Sequence, residues 1–133
     1  MVATELTPEL IREGSTLIEQ LDKVGASPGA ALWLYFPDAS AWRLMLTEER
    51  LGAEGPRKAY RTVQKVLQAL GDEIKHLSLN NITLTTPDAP IVTLLRRALG
   101  AESRISGIRF TGNAIDGTLI EDAFIYRLRA HAS

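Results

Sequence analysis

Residues 106–128 read Ser-Gly-Ile-Arg-Phe-Thr-Gly-Asn-Ala-Ile-Asp-Gly-Thr-Leu-Ile-Glu-Asp-Ala-Phe-Ile-Tyr-Arg-Leu, and this stretch decides the fold. Its central pair, Asp116-Gly117, tolerates the positive φ angles that a two-residue type I′ turn requires. Apolar residues that favour strands lie on both sides of the pair. The stretch therefore predicts an antiparallel β-hairpin, around which the upstream elements are expected to assemble.

Three upstream segments have the apolar spacing of amphipathic helices. Each is bounded by a capping residue or proline at its start and by a glycine at its end, which is the usual asymmetry of helix termini. The predicted helices run from Thr7-Pro8 to Gly25, from Gly55-Pro56 to Gly71, and from Thr86-Pro87-Asp88 to Gly100.

The upstream strands are indicated by runs of apolar, aromatic and β-branched residues. Residues 30–36 are apolar on both faces and predict a central strand, and residues 41–46 predict its neighbour beyond a turn at 37–40. Residues 77–86 alternate on either side of Asn80-Asn81, where the parity of the apolar positions changes. This change indicates a tight turn or a β-bulge, and we expect one bulged strand.

These elements predict an α+β protein in the order α-β-β-α-β-α-β-β. The expected architecture is one mixed, largely antiparallel sheet of about five strands with three helices packed on it. The length of 133 residues fits one domain, residues 1–133, and neither a repeat nor an interdomain linker is visible.

The composition is that of an ordinary globular protein, with 45% hydrophobic and 23% charged residues. The 15 basic and 16 acidic side chains nearly balance, so no global charge draws the molecule to nucleic acid or to an anionic membrane. Cysteine is absent, which excludes disulfides, thiolate metal sites and a cysteine nucleophile. Without a signal peptide or a long apolar run, the expected location is the cytoplasm, with no membrane contact.

Three acidic residues of the hairpin, Asp116, Glu121 and Asp122, are the candidates for a catalytic site. Carboxylates at the tip of a sheet could hold a divalent cation for a phosphodiesterase or nuclease reaction. Adjacent strand residues point to opposite faces, however, so Glu121 and Asp122 do not converge without a bulge. Asp116 is explained by its turn. We therefore predict no metal site and no cofactor, and keep the nuclease as an alternative.

Asp122 has a simpler structural explanation. Alternation places it on the face of Ile120, Phe124 and Tyr126, where a carboxylate needs a partner. With a turn at Asp116-Gly117, Thr111 lies opposite Asp122 and Arg109 lies diagonal to it. The hairpin therefore predicts a structural ion pair between Arg109 and Asp122.

The second helix carries the only basic cluster in the sequence, formed by Arg57, Lys58, Arg61 and Lys65 opposite the apolar stripe. Such a face could contact phosphates without reading base sequence, so nucleic-acid binding is a second alternative function. The polar residues of the first helix are expected to be solvated: Glu9, Arg12, Glu13, Glu19 and Lys23. His76, beside a lysine, is expected at the surface.

These patterns do not assemble a set of catalytic residues, and an enzymatic function is not the favoured interpretation. Two predicted strands, residues 30–36 and 120–128, are apolar on both faces, which is more surface than three helices readily cover. We therefore expect a protein-interaction, regulatory or adaptor domain that associates with itself as a homodimer.

Overall fold

A computed structural model of the protein describes residues 3–48, 55–101 and 104–129. Within these ranges it confirms the α+β class, with helices on both faces of one mixed sheet. The elements, in chain order, are α1 Pro8–Lys23, β1 Ala30–Phe36, β2 Ala41–Thr47, α2 Pro56–Leu70, β3 Ile82–Thr85, α3 Pro90–Leu99, β4 Ile108–Ile115 and β5 Thr118–Leu128.

The sheet has the order β3-β2-β1-β5-β4, with β1 in the centre. β1 is antiparallel to both β2 and β5, and β5 is antiparallel to β4. β2 and β3 are parallel, because α2 carries the chain back between them. The central position of β1 explains why its residues are apolar on both faces.

Each face of the sheet has its own core. α1 and α2 pack on the first face, where Trp33, Leu44 and Tyr126 are almost completely buried. α3 packs on the second face, where Leu32, Leu95 and Ile125 are buried. Because α3 has only 10 residues, it covers a limited part of the sheet.

The expectation of one bulged strand over residues 77–86 is wrong in its first half. Leu79–Asn81 is a turn of 3₁₀ helix, and the strand begins only at Ile82. The buried side chain of Asn81 accepts a hydrogen bond from the Ser78 N–H at 3.1 Å. The Asn81 side chain thus gives the backbone a local hydrogen-bond partner. The change in parity of the apolar positions results from this turn and not from a bulge.

The start of the third helix also differs from the prediction. Thr86 and Ala89 form a turn, in which the Ala89 N–H donates to the Thr86 carbonyl at 3.1 Å. The helix then begins at Pro90, and Ala89 is its N-cap residue without a side-chain cap. Proline at the first helical position sets the start here in place of the predicted cap.

Candidate functional site

The C-terminal hairpin has the turn and register that its sequence predicts. Asp116 and Gly117 have φ angles of 48° and 81°, as a type I′ turn requires. Thr111 pairs with Asp122, and Arg109 pairs with Phe124. Arg109 and Asp122 are therefore diagonal neighbours on one face of the hairpin.

Arg109 and Asp122 form a two-pronged ion pair. Arg109 Nε donates to Asp122 Oδ1 at 2.6 Å, and Arg109 Nη2 donates to Asp122 Oδ2 at 2.7 Å. These hydrogen bonds raise the pKa of Arg109 above its ordinary value. The guanidinium also lies 5.3 Å from the centre of the Trp42 ring, within the range of a cation–π contact. The pair therefore holds the hairpin against the start of β2.

The other two acidic candidates, Asp116 and Glu121, have surroundings that differ from those of Asp122. Asp116 accepts a hydrogen bond from Arg97 Nη1 of α3 at 3.0 Å, in an ion pair whose side chains are both more than half exposed. Glu121 is exposed on β5. Two of the three carboxylates are thus bound by arginines from different elements.

The predicted surroundings of Asp122 need one correction. Phe124 and Tyr126 lie with the first core, but Ile120 packs in the second core beside Ala123 and Ile125. Gly112, in the paired strand, has a φ of 59°, which is outside the extended region. Strict alternation of faces therefore does not hold along this part of the hairpin.

Aromatic rings on β1, β2 and β5 form two contacting pairs. The rings of Tyr35 and Trp42 lie 5.5 Å apart, and those of Phe124 and Tyr126 lie 5.2 Å apart. Trp33 and Trp42 are buried, whereas Tyr35 is partly exposed. The two tryptophans therefore serve core packing.

The two edges of the sheet differ in how their backbones are covered. β3 has only four residues, and the Tyr60 hydroxyl accepts a hydrogen bond from its Leu84 N–H at 3.0 Å. Arg43 Nη2 also donates to the Ile82 carbonyl at 3.1 Å. β4, at the opposite edge, is eight residues long. Its hairpin exposes Ile108 by 41% and Leu119 by 67%, so this edge combines length with apolar side chains.

The basic cluster of the second predicted helix lies on the solvent side of α2. Arg57, Lys58, Arg61 and Lys65 are all exposed, while Ala59 and Val63 of the same helix are buried. The structure therefore brings the four cations onto one outer face, opposite the stripe that packs on the sheet.

Glu13 is a buried polar residue that the sequence interpretation placed in solvent, and that prediction is wrong. Its side chain is 1% exposed, and Oε1 accepts hydrogen bonds from the His76 and Leu77 N–H groups, each at 2.8 Å. Glu13 Oε2 lies 2.9 Å from His76 Nδ1. The sequence does hold a signal for this burial, because Glu13 lies three residues after Leu10 and four before Leu17 on the apolar stripe.

Asp22 and Arg127 form a largely buried ion pair that the sequence analysis did not predict. Arg127 is 4% exposed and donates to the Asp22 carboxylate oxygens at 3.0 and 2.8 Å. It also donates to the Pro28 carbonyl at 3.2 Å. The hydrogen bonds from Arg127 lower the pKa of Asp22, although partial burial opposes them. The pair joins the end of α1 to β5.

Tyr126 makes the third buried polar link on the first face. Its hydroxyl accepts a hydrogen bond from Trp33 Nε1 at 2.9 Å and donates to the Ile11 carbonyl at 2.6 Å. Burial raises the pKa of this phenol well above its ordinary value. Since the hydroxyl is satisfied and stays protonated, it fixes the position of α1 on the sheet.

Over residues 3–48, 55–101 and 104–129, no three histidine, cysteine or acidic side chains gather in a way that could hold a metal ion. No helix in the same ranges is long and apolar enough to span a bilayer.

Comparisons with protein-family models, with curated proteins and with solved structures found no match.

Proposed function

We propose that this protein is a non-enzymatic, cytoplasmic interaction domain that associates with a second copy of itself through β4. The observation that carries the proposal is the edge position of this eight-residue strand, with apolar side chains exposed on its hairpin. Exposed strand edges are templates for pairing with another chain. A second copy is the partner that offers the same strand by symmetry.

The outward backbone groups of β4 follow from the turn. In a type I′ turn the Ile115 carbonyl accepts from the Thr118 N–H, so Ile115 faces β5. In an antiparallel pair the hydrogen-bonding direction alternates along the strand. By this alternation Ala114 directs its backbone N–H and carbonyl groups away from β5, where another strand could bind them.

The charge of β4 favours a second copy as its occupant. Arg109 is the only charged residue in the strand, and Asp122 balances it on the face of the sheet. Two copies of β4 can therefore pair antiparallel without a row of like charges between them. Ile108 and Leu119 supply apolar surface that pairing would cover.

The test is the mass in solution over a series of concentrations, by sedimentation equilibrium. We expect a dimer of twice 14.6 kDa for the natural protein. The double variant Ile108→Lys/Ala114→Lys places charges on the edge and should give a monomer. The matched control, Val24→Lys/Thr118→Lys, adds the same charge at exposed positions away from the outward groups and should remain dimeric.

Two results would contradict the proposal. A monomer of 14.6 kDa at every concentration would exclude self-association. A dimer that persists in the Ile108→Lys/Ala114→Lys variant would exclude the β4 edge as the interface.

A further inference from the structure

The charges of α2 are arranged against the usual electrostatic preference of a helix. Helix N-termini favour acidic side chains and C-termini favour basic ones, because of the helix dipole. α1 follows this rule with Glu9 in its first turn and Lys23 in its last, and α3 has Arg96 and Arg97 in its last turn. α2 has neither an acidic residue in its first turn nor a basic one in its last.

The four cations of α2 also repel one another. Arg57 and Arg61, and likewise Arg61 and Lys65, are four residues apart on the helix surface, a spacing at which like charges destabilise a helix. α2 contains no Asp or Glu that could balance them. Within the described part of the chain, none of the four cations forms an ion pair. An external anion would relieve this repulsion.

The spacing of the cations suits a linear polyanion. Arg57, Arg61 and Lys65 follow one another at intervals of about 6 Å along the axis, given a rise of about 1.5 Å per residue. They form a row that rises about 12 Å along the helix axis and turns about 80° around it. Gln64 and Gln68 are exposed beside this row and add neutral hydrogen-bond donors.

We infer that this row of Arg57, Arg61 and Lys65 on α2 binds the phosphate backbone of nucleic acid. Arginine, lysine and glutamine side chains are typical phosphate contacts. The exposed face of α2 offers no aromatic ring for base stacking, because Tyr60 is turned to the sheet and binds the Leu84 N–H. Binding through phosphates alone is independent of base sequence.

A lipid surface fits this helix less well than nucleic acid. An interfacial helix inserts its apolar face into the membrane. The apolar face of α2, including Ala59, Val63 and Val66, is already buried against the sheet and α1. Only the cationic face remains available, and it offers charge without an apolar anchor.

The test is fluorescence anisotropy of a labelled 20-base-pair duplex, titrated with the full-length protein at 50 and 200 mM salt. Three neutralised phosphates predict a roughly 40-fold loss of affinity between these salt concentrations. The variant Arg57→Gln/Arg61→Gln/Lys65→Gln should lose at least about tenfold in affinity at 50 mM salt and most of the salt dependence. A duplex of scrambled sequence should bind the natural protein equally well.

The matched control is Arg12→Gln/Lys23→Gln/Lys75→Gln, which removes three exposed cations outside α2 and changes the net charge equally. The affinity of this variant for the duplex should lie within about threefold of that of the natural protein, because the position of the cations on α2, and not the net charge, determines binding. Thermal melting of the α2 variant checks its folding, and we expect an unchanged or higher melting temperature because repulsion is removed.

Three results would overturn the inference. The first is no binding of the duplex at 50 mM salt. The second is an equal loss of affinity in the control variant. The third is binding of anionic phosphatidylserine vesicles or of polyglutamate at least as tightly as the duplex, which would assign the row to a lipid or protein partner. The β4 edge variants should keep their affinity, so this test is independent of dimer formation.

Discussion

The buried guanidinium of Arg127 binds both carboxylate oxygens of Asp22, at 3.0 and 2.8 Å, and so ties the end of α1 to β5. The side chain of Arg127 is 5% exposed and that of Asp22 is 31% exposed. Burying a guanidinium is costly unless it is paired and hydrogen-bonded. This contact is therefore a point where one substitution leaves an uncompensated charge inside the protein.

Removing the partner of Arg127 should destabilise the fold strongly. We expect Asp22→Ala to lower the free energy of unfolding by about 3 kcal/mol, because the buried Arg127 loses its countercharge. Urea denaturation measures this change. Glu19→Ala, at an exposed position of the same helix, is the control and should change stability by less than about 0.5 kcal/mol. Similar losses in both variants would show that the pair contributes little.

Stability should fall at acidic pH through two carboxyl groups. Hydrogen bonds from Arg127 lower the pKa of Asp22. Burial acts to raise the pKa of Glu13, but hydrogen bonds from His76 and Leu77 outweigh it and lower the pKa. Groups with lowered pKa stabilise the fold fully above their unfolded values of about 4, and this stabilisation is lost as the pH falls through the folded values.

The pH prediction can be checked by urea denaturation of the natural protein and of Asp22→Asn between pH 7 and pH 3. The natural protein should lose stability more steeply below about pH 4, because the variant lacks one of the two groups. Parallel curves for the two proteins would contradict a contribution from Asp22.

The stability of the fold should depend more on the acceptor oxygens of Glu13 than on its negative charge. Glu13→Ala leaves the His76 and Leu77 N–H groups without their acceptor and should cost about 3 kcal/mol. Glu13→Gln keeps one oxygen for these groups and should cost about 1 kcal/mol. Both values follow from urea denaturation, with exposed Glu9→Ala as the control. A greater loss in the glutamine variant would contradict this account.

Gly14 of α1 should not accept a methyl group. A Cβ atom there would overlap the Tyr126 hydroxyl and lie 2.9 Å from Tyr126 Cζ and 3.2 Å from Trp33 Nε1. Both rings are buried and hydrogen-bonded to each other, so they cannot move aside cheaply. We expect Gly14→Ala to lower the unfolding free energy by about 1–2 kcal/mol, although alanine favours helices.

The matched helix control for this prediction is Ser15→Ala, which gains helix propensity without approaching either ring and should be neutral or slightly stabilising. Thermal melting compares the two variants. An increase in melting temperature for Gly14→Ala would mean that α1 can shift away from the sheet.

Asp122 should contribute more to stability than its neighbour Glu121. Asp122→Ala removes a two-pronged contact to the partly exposed Arg109 and should cost about 1 kcal/mol, the upper end for such pairs. Glu121→Ala, in exposed surroundings, should have almost no effect. A lower melting temperature for the first variant only is the expected result, and equal melting temperatures would contradict it.

The local features of this protein could be predicted from sequence because their causes are local. Asp116-Gly117 sets its own backbone angles, and the turn then fixes which residues of the hairpin pair, including Arg109 and Asp122. The helical stripes and the proline and glycine boundaries likewise identify three helices. Errors arose where side chains changed the local pattern, as Asn81 does before β3.

The burial of charged groups could not be predicted in the same way, because their partners are distant in the chain. Glu13 and Leu77 are 64 residues apart, and Asp22 and Arg127 are 105 residues apart. The periodicity of the sequence indicates which face of a helix or strand a residue occupies. Whether an oppositely charged group lies against that face depends on how distant segments pack together. The sequence by itself determined the elements and the hairpin register, whereas the tertiary structure decided which polar groups enter the core and which sheet edge stays open.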